Sequence, residues 1–209
     1  MKSRKTAIEV HQGDLPKGLT FDRAVAIDCE TQGLNLSRDR LCVVQLSAGD
    51  GTAHLVHFPE PGFDAPNLKA VLADKRITKI FHYARFDMTT MRRHLGIMAT
   101  PVYCTKIASR LVRTYTDRHG LKDLCKELLG VDLSKEQQSS DWAATKLSSA
   151  QIHYAAADVL HLHALKAKLD TMLAREDRVR LAESCFAFLP VRVELDLAGF
   201  EAEDLFAHV

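Results

Sequence analysis

Residues 24–31 read AVAIDCET: four apolar residues, then two carboxylates, Asp28 and Glu30, separated by a single cysteine. The run over 24–29 fits a central strand. Residues i and i+2 of a strand face the same side, so Asp28 and Glu30 point together and Cys29 points away. Working outward, LCVVQLS over 41–47 and a run over 53–57 predict two further strands. The tight-turn sequence Ala48-Gly49-Asp50-Gly51 joins them, so the three read as a meander. A fourth strand is expected over 78–81. Helices are expected after Pro66, over 86–95 (ended by Gly96), over 105–112, and over 121–129 (stopped by Gly130), with a long one beginning around Ser148. The expectation is one α/β domain spanning 1–209, a mixed sheet whose second half is mainly helical.

With 209 residues, 46% hydrophobic and 26% charged, the chain has the composition of an ordinary globular domain. A net charge of +1 advertises no global basic field for long nucleic acid, so any polyanion must be bound locally or be small. Five cysteines, odd in number and without CxxC spacing, argue against a zinc knuckle or disulfide framework and for reduced thiols. No apolar run approaches the ~18 residues of a membrane span, and the N-terminus lacks a long apolar segment, so a soluble cytoplasmic protein without membrane contact is expected. The C-terminal stretch from Leu189 mixes apolar and acidic residues and is too hydrophobic for a free tail. It either docks on its own domain or, within 176–209, meets a neighbouring subunit.

Two more acids join the pair on β-like sequence. Asp87 lies in FHYARFD and Asp158 closes YAAAD. No Lys or Arg directly neighbours Asp28, Glu30 or Asp158 in sequence, and an ionised carboxylate in apolar surroundings needs a cationic compensator. Divalent metal is the economical one. For Asp87 alone, a favourable charge in a first helical turn would be sufficient reason; Asp158, amid an apolar helical face, has no such reason. Ser148 and Gln151 form a capping-box pattern that starts the last helix near Ser149. From there, Tyr154 lies ~40° from the Asp158 face and His153 ~140° from it, so Tyr154 is the residue expected to orient a water.

The segments AIDCETQGL, FHYARFD and HYAAADVLHLHAL, joined by TDRHGLKDLCKELLGVDLSKEQQSSDW, resemble the DEDD superfamily of 3′–5′ exonucleases in its tyrosine-bearing, ribonuclease D-like branch. The resemblance implies a ribonuclease H-like mixed sheet flanked by helices. It assigns Asp28, Glu30, Asp87 and Asp158 as ligands of two Mg2+ or Mn2+ ions, with Tyr154 holding the nucleophilic water. Three departures stand out: the downstream helical (HRDC) nucleic-acid-binding domains of full ribonuclease D are not expected, Tyr83 stands where asparagine is usual, and Ala143 to Lys146 replace frequent arginines. The stretches RLCVVQLSAGDGTA and TKIASRLVRTYTDRHGLK and the ELDL-to-FAHV tail look most like the nano-RNase C family. That likeness implies a homo-octameric ring and degradation of very short RNA, dinucleotides above all, with DNA also accepted.

Substrate contacts are expected at Thr31, Gly33, Leu34, His82, Tyr83, Arg113 and Trp142. Leu34, after Gly33, is read as a wedge against two terminal bases, the alternative being a loop leucine packed under the sheet. Trp142 either stacks on a base or anchors its helix. The basic set Arg110, Arg113, Arg118, His119 and Lys122 either meets a 5′ phosphate or forms a solvated face; Lys135, Gln138 and Ser140 are lesser candidates. Competing functions are a general exonuclease on longer RNA or DNA, and an inactive nucleic-acid-binding scaffold.

Overall fold

The computed structural model describes residues 6–35, 38–134 and 136–208. Its centre is one six-stranded sheet: β1 (Ala7–Gln12), β2 (Ala24–Thr31), β3 (Leu41–Ser47), β4 (Thr52–His57), β5 (Thr78–Phe81) and β6 (Val102–Cys104). The strand order is β1-β4-β3-β2-β5-β6. β2, β3 and β4 form the antiparallel meander, while β1 on β4, β5 on β2 and β6 on β5 pair in parallel. The expected mixed sheet flanked by helices is therefore present, extended at both edges by strands the sequence reading lacked.

Val25, Ala26 and Ile27 of β2 are fully buried, as is nearly all of β3. The apolar run thus carries Asp28 and Glu30 to the end of a central strand, where a bulge between Glu30 and Thr31 breaks the register. Strand ends at the middle of such sheets are where ligands gather.

The helices are α1 (Pro66–Ala73), α2 (Ala84–Leu95), α3 (Thr105–Val112), α4 (Leu121–Leu124), α5 (Ser149–Leu160), α6 (Leu162–Arg175) and α7 (Val179–Leu197). The helix expected over 121–129 changes pitch: after α4 it continues as a π-helical turn, Cys125–Leu129, before Gly130 closes it in the left-handed conformation. The long helix expected from Ser148 stops at Leu160, and His161 separates α5 from α6. α5 starts as expected, with Gln151 N–H donating to Ser148 Oγ at 3.2 Å and Ser148 N–H to Gln151 Oε1 at 2.9 Å. These reciprocal bonds satisfy two otherwise orphaned amides.

α7 packs along α2. Asp196 near its end is buried and receives Arg85 at 2.7 Å and Arg192 at 2.7 Å. Arg85 also donates to the Glu201 carbonyl at 2.7 Å, so the C-terminal segment is tied to the same chain's α2. Among the described residues no helix is long and apolar enough to cross a membrane.

Candidate active site

β2 presents Asp28 and Glu30 from one face, and α5 brings Asp158 against them. Carboxylate oxygens of these three residues lie within 4.8 Å of one another. Gln45, the neighbour of Asp28 across β3, makes a long 3.5 Å contact to Asp28 Oδ2. Asp87 is not in this trio. It is delivered by the first turn of α2 from the side on which Cys29 projects, and its Oδ1 accepts from Cys29 N–H at 3.0 Å and the Cys29 thiol at 3.2 Å. Asp87 remains near enough to push on Asp28 electrostatically.

Among the described residues none of the four acids forms an ion pair. Burial first, then mutual repulsion, holds Asp28 and Glu30 well above the carboxylate range. Burial pushes Asp87 up to about 7, partly opposed by the Cys29 bonds, and pushes Asp158 up to about 7. Four acids that resist ionisation beside one another are a site awaiting positive charge. The donors are all oxygen, a set that fits Mg2+ or Mn2+ and not the nitrogen and sulfur preference of zinc.

Tyr154 lies one turn before Asp158 on α5, near enough to oppose the upward push of burial on that carboxyl. Burial, then the neighbouring acids, drives the phenol upward, so it stays protonated. Trp142 is buried with its ring 6.0 Å from that of Tyr154, and both line the cavity. His153 instead turns outward, its Nδ1 2.7 Å from the Ser149 carbonyl.

A cavity of about 570 Å³ opens over Asp28, Glu30 and Asp158. Thr31, Gly33 and Leu34 form one lip. Thr31 Oγ1 donates to the Gly33 carbonyl. A Cβ on Gly33 would stand 2.3 Å from Asp39 Oδ2, so any side chain there would have to displace the Asp39 carboxylate. Asp39 in turn accepts from Asn35 N–H at 2.9 Å. Leu34 is 85% exposed, so it does not pack under the sheet.

The opposite wall carries His82, Tyr83 and Lys106. Burial lowers the His82 imidazole to about 3, leaving it neutral, and its Nδ1 lies 2.9 Å from Thr105 Oγ1. Tyr83, where asparagine is usual, sits in the left-handed region at φ 70°, a conformation asparagine tolerates and a bulky side chain rarely adopts. Its exposed ring lies under Lys106 Nζ at 4.3 Å.

Arg113 is a correction. Its side chain is fully buried outside the cavity, paired with Glu127 of the π-turn and donating to the Arg118 carbonyl and to Ser109 Oγ. It braces the loop after α3. Of the basic set only Lys122 lines the cavity; Lys106, which sequence reasoning missed, does too. Lys106 carries no signal beyond its place at the start of α3. Gln138 and Ser140 line the cavity as well, and Lys135 lies outside the described residues.

A family model described as "3'-5' exonuclease" matches residues 11–174. Ribonuclease D of Gluconacetobacter diazotrophicus is 36% identical over 165 residues, 79% of this chain and 42% of that protein. The chain thus spans less than half the length of the curated relatives it matches. Brucella melitensis NrnC bound to pGG is 56% identical with a TM-score of 0.95, covering 98% of this chain and 100% of that one. The same protein with bound Mg2+ is 55% identical with a TM-score of 0.93 over the same shares.

Proposed function

Because this chain belongs to the 3′–5′ exonuclease family, in its ribonuclease D-like, nano-RNase C branch, we propose that it removes 5′-mononucleotides from the 3′ ends of very short RNA, dinucleotides foremost. The observation that carries the reading is the convergence of Asp28, Glu30 and Asp158 at the floor of a cavity sized for a small ligand, with Asp87 against the same strand. Asp28, Glu30, Asp87 and Asp158 are the proposed ligands of two divalent cations, Mg2+ or Mn2+. When bound, these would acidify the attacking water and stabilise the leaving 3′ oxygen.

The remaining work belongs to the chain's own groups. The protonated Tyr154 hydroxyl, beside Asp158, would aim the water in line with the scissile bond, and Trp142 would keep the phenol in place. Leu34, apolar yet exposed, would wedge against the two bases, and Thr31 and the Gly33 backbone would meet the terminal nucleotide. Lys106 and Lys122 supply local positive charge in a chain whose net charge is only +1, which suits a substrate with few phosphates. The neutral His82 and the Tyr83 ring shape the wall for the other nucleotide. The pGG carried by the Brucella relative supports a ligand of that length.

We extend the proposal to assembly and setting: a homo-octameric ring in the cytoplasm, with DNA as a secondary substrate. Exposed apolar side chains on α7 and beyond, including Phe188, Val191, Leu197 and Phe206, support self-association.

The test is product analysis on labelled oligomers of two to about ten nucleotides, with Mg2+ or Mn2+ at fixed salt. Turnover should be fastest on the dinucleotide. A wide preference for the longer strands would remove the dinucleotide reading and favour a general exonuclease.

A further inference from the structure

We propose that Glu9, His11 and His54 form a second metal site, for a first-row transition dication such as Zn2+, at the β1–β4 edge of the sheet. It is independent of the carboxylate site in ligand chemistry and position. Glu9 and His11 are two apart on β1, and Glu9 pairs across the ladder with His54 of β4, so all three side chains share one face. Asp28 pairs with Gln45 and Gln45 with Leu55, which places Leu55 on the face of Asp28 and His54 on the other. The two sites are thus on opposite faces, separated by two strand spacings, roughly 10 Å of sheet.

The three ligand atoms already stand at the edges of a coordination polyhedron. His11 Nε2 lies 3.2 Å from His54 Nδ1, His54 Nδ1 lies 3.4 Å from Glu9 Oε2, and His11 Nε2 lies 3.8 Å from Glu9 Oε2. Bonds of about 2.0–2.2 Å to a tetrahedral ion put neighbouring ligand atoms about 3.3–3.6 Å apart. A hydrogen bond accounts for the short His–His contact alone, since one proton links one pair of atoms. The Glu9 oxygen adds a third donor within reach of both nitrogens. As they stand the two rings stack 21° from parallel with their nitrogens facing, and both would turn to aim their lone pairs at a shared ion.

The surroundings favour the same reading. Phe21, itself buried, stands edge-on to the His54 ring at 6.3 Å and lends it an apolar backing. His54 is buried, His11 half-buried and Glu9 exposed, so the site is backed by protein on one side and open to a water as fourth ligand. Two imidazoles and one carboxylate select Zn2+, Co2+ or Ni2+ over Mg2+, whereas the all-oxygen acids prefer the harder ions. Bound there, an ion would staple the edge strand β1, which among the described residues pairs with β4 alone, to the body of the sheet.

The test uses the full chain in excess Mg2+, titrated with Co2+ as a visible-absorption probe and with Zn2+ as competitor. One equivalent of Co2+ should give the intense bands of a four-coordinate site, displaced by Zn2+, and should raise the melting temperature. The bands should persist in Asp158→Asn, vanish in His54→Gln, and need about tenfold or more Co2+ in Glu9→Ala, whose exposed position leaves folding intact. Bands lost in Asp158→Asn, bands unchanged in both His54→Gln and Glu9→Ala, or no bands in the unmodified protein would each overturn the assignment.

Discussion

Asp87 is held by Cys29 twice over, its Oδ1 accepting the backbone N–H at 3.0 Å and the thiol at 3.2 Å. The two residues lie 58 apart in sequence, so the bonds fasten α2 to the strand that carries Asp28 and Glu30. Burial, then the charge of Asp87, pushes the thiol's pKa well up, so it remains a donor. Replacing Cys29→Ala removes about 1 kcal/mol of hydrogen bonding and leaves the backbone bond in place. The Mg2+ concentration for half-maximal hydrolysis should rise about fivefold, with the rate at saturating metal nearly unchanged. Unaltered metal dependence would make the thiol bond incidental.

Asp158 should show opposite effects on activity and stability. Its carboxylate raises the cost of ionising both Asp28 and Glu30, so Asp158→Asn relieves repulsion in the metal-free protein. The metal-free melting temperature should rise while hydrolysis falls by about 10³-fold or more. A variant that is both inactive and less stable would point to a structural carboxylate.

The pH dependence of stability has a defined sign. All four acids have folded-state pKa values raised above the unfolded range, to about 7 for Asp87 and Asp158. The folded state therefore holds more protons than the unfolded one between about pH 4 and pH 7. Stability from these groups is fully present below pH 4, and the part due to Asp87 and Asp158 is lost as the pH rises through 7. Melting curves in EDTA should fall from about pH 4 through pH 7, and saturating Mg2+ should remove most of the slope. A metal-free stability that rises from pH 5 to 7 would contradict the burial of these acids.

Leu34 tests the wedge. An 85% exposed leucine contributes little to the core, so Leu34→Ala should leave the melting temperature unchanged. Loss of a base contact worth about 1–3 kcal/mol should raise KM for a dinucleotide by roughly 5- to 150-fold, with kcat much less affected. An unchanged KM would assign the side chain some other partner.

Arg113 tests the correction. Truncating one partner of a buried ion pair costs about 3 kcal/mol, less to the extent that Glu127 is exposed at 42%. Arg113→Lys should lower the melting temperature and leave KM for dinucleotide within about twofold, because the side chain does not reach the cavity. A large KM effect without loss of stability would restore it as a substrate contact.

What could be seen in advance followed from periodicity. The i, i+2 relation of Asp28 and Glu30 and the i, i+4 relation of Tyr154 and Asp158 survive in the structure because a buried strand and a capped helix enforce them. The edge strands escaped for different reasons. β1 exposes residues on both faces and so lacks alternation, and three-residue β6 is too short to have a period. Arg113 read as a surface cation because nothing local reveals that Glu127, fourteen residues later, turns through a π-helical step to meet it. Lys106 was missed for the converse reason: its wall of the cavity exists only once the start of α3 meets Tyr83, just before α2.

The contact between Gly33 and Asp39 bears on how quickly a ligand can be received. Gly33 is pressed against the Asp39 carboxylate and Asn35 N–H donates to it, so Leu34 sits between two residues that meet one aspartate. On the proposed function, ordering already met in folding is not repeated when a nucleotide binds, and length would be read by the span from Leu34 to the acids.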